Sequence, residues 1–205
     1  MDIKPLPFTK ELDGISKKTI EIHHDKLYVG YVKKSEEISG KLKQLSSDII
    51  SGKVGSGNQT FSELRALKEG ETFAVNGAFL HEWYFDNLGG DGNWKIASEL
   101  SKAIINKWGS VEGFIKYFSE CGMASRGWSI LCWNIKRQKI MQYNGDAHNQ
   151  GGVWGCIPII ALDVYEHAYF IDFGSDRKTY IEAFWKNFNW EKAEELFKKV
   201  REIKI

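Results

Sequence analysis

The chain has 205 residues, with 28 basic and 27 acidic side chains and a net charge of +1. That length suffices for one domain or two small layers around a real core, and the balanced charge leaves no case for nucleic acid or an anionic membrane as the main partner. No stretch approaches the roughly 18 apolar residues of a membrane-spanning helix, and Met1–Pro7 lacks the apolar block of a secretory signal.

Three cysteines, Cys121, Cys132 and Cys156, form no close-spaced pair. An odd, scattered set argues against a disulfide framework and against a thiolate zinc site. A reducing cytoplasm is the expected home.

Ser16 is placed to cap a helix running from Lys17 through His23 to about Gln44. The polar, glycine-bearing spacer Ser51–Asn58 reads as a turn between two long helices. Thr60-Phe61-Ser62-Glu63 reads as a capping box opening a second helix that reaches Asn87, before Gly89-Gly90-Asp91-Gly92 stops it. Trp94–Trp108 and Ser110 to about Ala124 carry helical periodicity. Trp128–Asn134 and Lys139–Tyr143 read as strands around a turn at Lys136-Arg137. A loop spans Asn144–Gly155, Ile157–Leu162 is a third strand, and the chain turns from it into a helix carrying His167. Helices close the chain at Lys178–Phe188 and, capped by Asn189, Trp190–Ile203. The expected class is α+β: an N-terminal helical hairpin over residues 1–90, then a C-terminal domain over 91–205 with a three-stranded antiparallel sheet surrounded by helices.

Chemistry concentrates in Asp163-Val164-Tyr165-Glu166-His167-Ala168-Tyr169, which sets an acid and an imidazole four residues apart after an apolar run. With only five histidines in the chain, upstream partners are few. At about 100° per residue, His23, Leu27 and Tyr31 share one face of the first helix, and Phe73, Gly77, His81 and Phe85 one face of the second. Gly77 leaves open space one turn before His81. A lone histidine on an apolar face is more often a satisfied core residue than a ligand, so neither argues alone. A zinc-protease helix would need a second histidine where Phe85 stands, which removes that reading of His81-Glu82.

Taken jointly, these segments resemble the iron/manganese superoxide dismutase family, over nearly the whole chain. The resemblance rests on Ile20-Glu21-Ile22-His23-His24-Asp25-Lys26, on His81, and on Arg126-Gly127-Trp128. Most specific are Leu162–Tyr169, close to the family's Asp-x-Trp-Glu-His-Ala-Tyr, and Phe184–Trp190. It implies His23, His81, Asp163 and His167 as ligands to one iron or manganese ion per subunit, cycling between 3+ and 2+ to convert superoxide into dioxygen and hydrogen peroxide. Imidazole suits iron and carboxylate suits manganese, so the donor set agrees with either. Taking up a proton with each electron keeps the buried charge constant, which matters at low dielectric. By the same resemblance, Tyr31 is the gateway tyrosine in the proton relay and Trp128 walls the site. The group that hydrogen-bonds the site's water is His148, fifteen residues before Asp163, because Gly77 cannot supply it from the helix. Glu166 and Tyr169 belong to the interface of an expected C2 homodimer, with a tetramer also open.

The chain departs from the family at Leu27, Tyr28, Leu80, Phe85 and Tyr165. Leu27 replaces a histidine that would bond Tyr169 of a neighbouring subunit, so proton delivery or anion access is expected to differ. Iron against manganese stays open, with the loop histidine inclining to iron. Two other functions compete: an inactive structural or interaction paralogue, which would be free to lose ligands, and a non-redox metal hydrolase, whose activity would survive zinc.

Overall fold

The computed structural model describes residues 1–55 and 57–203. Ser56, inside the expected spacer, lies outside the described residues, as do Lys204 and Ile205.

The first long helix is not uniform. An α segment, α1 (Lys17–Ile22), passes into a π-helical turn over His23–Tyr28 and then into α2 (Val29–Ile50). Ser16 Oγ accepts from Thr19 N at 3.2 Å and starts it. The helix extends to Ile50, beyond the expected Gln44. The π turn was not legible in the sequence, and it matters. In an unbroken α-helix the eight residues from His23 to Tyr31 overshoot two turns by about 80°. A π turn holds one more residue per turn, which takes up much of that overshoot and turns Tyr31 toward the side of His23.

Helix α3 (Glu63–Asp86) packs antiparallel to α2. Its cap is Ser62, whose hydroxyl accepts from Arg65 N at 3.1 Å, not Thr60. Asn58 Oδ1 has already claimed the N–H groups of Thr60 and Phe61 in an Asx turn, so the helix begins later than the capping-box reading placed it. Past the end of α3, Gly90 N donates to Asn187 O at 2.9 Å and Gly92 N to Phe188 O at 3.1 Å. A Cβ on Gly90 would sit 2.1 Å from Phe188 O, so only glycine allows this backbone contact.

The expected helix Trp94–Trp108 is broken. A 3-10 turn at Trp94–Ile96 gives way at Ala97 to α4 (Ser98–Trp108). The break has a cause far along the chain: the buried Glu194 carboxylate accepts from Glu99 N at 3.1 Å and Leu100 N at 2.7 Å, capping α4 from outside. Helix α5 (Val111–Ala124) leads into the sheet.

Strands β1 (Trp128–Asn134), β2 (Lys139–Gly145) and β3 (Cys156–Asp163) pair antiparallel in the order β2-β1-β3, so β1 is central. Trp128 opposes Asp163 in register, with a bulge between Leu131 and Cys132. After β3 the chain does not enter an α-helix: Glu166–Ala168 form a 3-10 turn, followed by the short α6 (Phe170–Phe173), which the sequence reading did not contain. Two helices follow, α7 (Arg177–Lys186) and α8 (Trp190–Arg201). Asn189 Oδ1 caps α8 as expected, accepting from Lys192 N at 3.0 Å.

One apolar core draws Ile20 and Tyr84 from the N-terminal helices and Leu88 from just past α3, together with Trp128, Ile160, Leu162 and Phe184 from the later elements and Phe188 from the link between α7 and α8. The architecture is the α+β arrangement the sequence implied. No helix among the described residues is long and apolar enough to cross a membrane.

Candidate metal centre

Four elements each bring one side chain to a single point. His23 comes from the π turn and His81 from α3, while Asp163 ends β3 and His167 follows in the 3-10 turn. Asp163 Oδ2 is the hub: it lies 3.0 Å from His167 Nε2, 3.1 Å from His23 Nε2 and 3.6 Å from His81 Nε2. All four donor atoms lie within 4.8 Å of one another. Donors each about 2.1 Å from one ion sit roughly 3–4 Å apart, so the spacing fits a shared ion.

Burial sharpens the point. His23, His81 and Asp163 are fully buried, and His167 alone keeps part of its side chain, 24%, in contact with solvent. His81 Nδ1 donates to Gly77 O at 2.6 Å, which fixes the tautomer and leaves a lone pair on Nε2. That Nε2 is buried and, among the described residues, has no hydrogen-bond partner. An orphaned buried acceptor costs about 1–3 kcal/mol, and a cation at the centre removes the cost. The donor set therefore fits a metal ion, with His23, His81, Asp163 and His167 as the residues that would hold it.

The electrostatics agree. Burial alone would raise the Asp163 carboxyl, but the His167 and His23 imidazoles outweigh it and hold the group well below the usual carboxylate range. Burial, reinforced by His23, holds His81 far below an ordinary imidazole. Burial also lowers His23, against the pull of Asp163. His167 is the exception: burial would lower it, yet Asp163 outweighs burial and raises it. The carboxylate and two low-pKa imidazoles are already in the form a metal requires.

A second ring of side chains encloses the cluster. His148, buried in the loop after β2, accepts from Trp128 Nε1 at Nδ1, 2.9 Å away. That assigns its proton to Nε2, and burial lowers its pKa to about 4, so it is a neutral donor at ordinary pH. The Tyr31 ring lies 4.7 Å from His148 and 5.2 Å from His81. A Cβ on Gly77 would come within 2.8 Å of Tyr31 and 3.2 Å of His148, so the missing side chain is the space these two rings fill. Burial, helped by the Asp163 charge, pushes the Tyr31 phenol up to about 12. Trp128 is fully buried, with its ring 5.3 Å from His81.

Two of the five residues that depart from the family pattern, Tyr165 and Phe85, border the cluster. Tyr165 stacks on His167 at 5.3 Å, and Phe85 packs on His23 at 5.2 Å. Tyr28 is occupied elsewhere, its hydroxyl donating to Glu82 at 3.0 Å and accepting from Lys4 N. Leu80 is buried and Leu27 half-buried. Glu166 is exposed beside His167 in a polar surface pocket that also includes Arg126 and Arg177. Tyr169 is buried, and its hydroxyl accepts from Arg177 Nε at 3.2 Å.

Sequence reasoning missed two supports. Tyr180 Oη donates to the Asp163 carbonyl at 2.7 Å, anchoring the end of β3. With its proton so used, Tyr180 accepts from the Tyr84 hydroxyl 3.2 Å away, and the Tyr84 ring lies 4.9 Å from His23. The only signal for Tyr84 is its place one turn after His81; Tyr180 gives none, because its contact depends on how α7 crosses the sheet.

Comparison with known proteins now decides the family. The sequence model described as iron/manganese superoxide dismutases, C-terminal domain, matches residues 96–196. The iron superoxide dismutase of Aquifex pyrophilus is 39% identical over 190 residues, 93% of this chain and 87% of its own. The chain belongs to the iron/manganese superoxide dismutase family. The iron enzyme of Cupriavidus metallidurans is 34% identical over 198 residues, covering 94% of this chain and 93% of its own. The manganese enzyme of Haloarcula marismortui is 30% identical over 202 residues, covering 97% and 94%. Family members named for either metal thus align along almost the whole length, so the alignment does not choose between the metals.

Proposed function

We propose that this protein is a superoxide dismutase whose ion is held by His23, His81, Asp163 and His167. The observation that carries the ligand set is the buried Nε2 of His81, without a hydrogen-bond partner among the described residues and aimed with two other imidazoles at one carboxylate oxygen. Bound there, iron or manganese would supply one-electron chemistry, taking an electron from one superoxide and giving it to another.

The chain's own residues supply protons and exclude water. Tyr31 keeps its proton on Oη well above neutral pH and sits beside both His81 and His148. From that atom it can pass a proton toward the peroxide product, in general-acid fashion. His148 holds its proton on Nε2, because Trp128 occupies Nδ1. Tyr84, Phe85 and Trp128 are buried around the imidazoles and keep bulk water from the charged donors. In this low-dielectric setting, a proton taken up with each electron avoids a change in buried charge.

The loop-borne His148 inclines the choice of metal toward iron. The partly open His167 and the exposed Glu166 beside it support a C2 homodimer, in which each Glu166 would reach the partner's His167. Free cysteines support a reducing cytoplasm as the site of action.

The test is purified protein loaded separately with iron, manganese and zinc, then assayed for metal content and superoxide consumption. Iron or manganese should fill about one site per chain and restore turnover, whereas zinc should fill the site without turnover. Filled iron and manganese sites with no superoxide consumed would overturn the proposal.

A further inference from the structure

Helix α3 meets the cluster with one residue and the His148 loop with several others. His81 enters the cluster from its C-terminal half. Nearer its start, the same helix receives the turn that carries His148. Ala147 and Gln150 pair across that turn, Gln150 N donating to Ala147 O at 3.2 Å, so His148 and Asn149 are its two central residues. The two side chains have different partners. His148 packs among Tyr31, Trp128 and Tyr165. The Asn149 amide donates to Thr72 Oγ1 at 3.1 Å and to Glu69 O at 3.3 Å. Thr72 Oγ1 donates its own proton to Glu69 O at 3.0 Å, which leaves its lone pairs for Asn149.

Spacing along α3 completes the device. Phe73, next to Thr72, packs on the His148 ring at 4.6 Å. Gly77, one turn later, leaves the notch that His148 and Tyr31 share. His81, one turn later again, is the cluster residue. Among the described residues, the Asn149 amide makes the only hydrogen bonds between this turn and α3. Trp128 fixes which nitrogen of His148 carries the proton, but it does so from β1. It does not set where the turn stands along α3.

We infer that Asn149 is a positioning residue for His148. Through Thr72 and the Glu69 carbonyl it anchors the 147–150 turn on α3, and so sets how far the imidazole reaches into the notch beside Gly77. The inference rests on the proposed role of His148 at the metal centre. Outer hydrogen bonds of this kind orient the groups that tune a metal site.

The test uses Asn149→Ala, Thr72→Val and Thr72→Ser. Thr72 is exposed and lies outside the cluster. Two readouts are followed: nitrogen resonances of His148 in the metal-free protein, and the reduction potential of the iron-loaded protein. Asn149→Ala and Thr72→Val should keep full metal content and wild-type melting behaviour. Both should displace or broaden the His148 resonances and move the potential in the direction taken by His148→Ala. Turnover should fall about tenfold or less, the low end of what losing a supporting partner costs. Thr72→Ser, which keeps the hydroxyl, should behave as wild type. Unmoved resonances and potential in both anchor variants, with a moved potential in His148→Ala, would overturn the inference alone. An unmoved potential in His148→Ala would instead sink the role of His148, and the inference with it.

Discussion

Asn87 and Asp163 are both buried polar residues tied to β3, and they are satisfied in opposite ways. Asn87 Nδ2 donates to Ile159 O at 3.1 Å, and its Oδ1 accepts from Ala161 N at 2.8 Å, so both ends of the amide are matched by backbone. Asp163 Oδ1 accepts from Tyr165 N at 2.9 Å, but Oδ2 faces three imidazoles, and His81 Nε2, 3.6 Å from it, has no hydrogen-bond partner among the described residues. The first pattern is how a protein stitches a helix to a sheet. The second leaves charge and a lone pair unmatched in a fully buried place, a cost that a cation removes by supplying the missing partner. Satisfaction, more than burial, separates a structural polar residue from a ligand.

That contrast breaks most sharply at Asp163. Asp163→Ala should lower metal affinity by more than about 100-fold, the upper end of what losing only a ligand's support costs, as read by metal content after loading and dialysis. Full occupancy in that variant would contradict the ligand assignment. Asn87→Ala should do the reverse. Stranding Ile159 O and Ala161 N should cost about 2–3 kcal/mol in urea unfolding, while metal content stays near one per chain.

Acid sharpens the same comparison. Asp163 raises the pKa of His167, so a proton competes with the metal from a higher pH than for a free imidazole. Below that raised value, apparent metal affinity should fall by about tenfold per pH unit, because one proton must leave for the ion to bind. Loading curves between pH 5 and 8, roughly the range where histidine titrates, would show it. A flat affinity across that range would argue that His167 does not bind the ion.

Much of this was legible because the patterns were local. The spacing of Asp163 and His167, the apolar run before them and the glycine at position 77 all sit in short segments. The four side chains named from those segments do meet at one point in the structure. What escaped the sequence depended on distant partners. The π turn at His23–Tyr28 has no composition of its own, and it sits where His23 must reach Asp163 on β3. The break at Ala97 follows from Glu194, almost a hundred residues on, and Tyr180 reaches the Asp163 carbonyl only through the crossing of α7. The start of α3 was misplaced for a smaller reason, since Asn58 competes for the N–H groups that a cap at Thr60 was expected to leave for the helix.

Glu194 offers a gentler version of the comparison, as a buried carboxylate with every partner in place. Burial would raise its pKa, but the N–H groups of Leu100 and Glu99 and the Lys198 ammonium outweigh it and lower the value from its ordinary 4.5. A depressed folded-state value means the stabilisation is present above the unfolded value and is lost as pH falls through the folded one. Glu194→Ala should therefore cost about 1 kcal/mol at neutral pH, as for a lost helix cap. The gap between wild type and variant should close as pH drops below the ordinary value. Thermal melts at pH 7 and pH 3 would measure it, and an equal gap at both would argue that the charge on Glu194 is irrelevant. The smallest effect on binding is expected for Tyr31→Phe, which should leave metal content unchanged while altering turnover; identical kinetics across pH would remove Tyr31 from the proton path.

The most direct measurement is anomalous diffraction at the metal's absorption edge from crystals of the iron- or manganese-loaded protein. One strong peak per chain, bounded by the Nε2 atoms of His23, His81 and His167 and by Asp163 Oδ2, is the expected result. A loaded protein whose peak lies away from these four atoms would contradict the account.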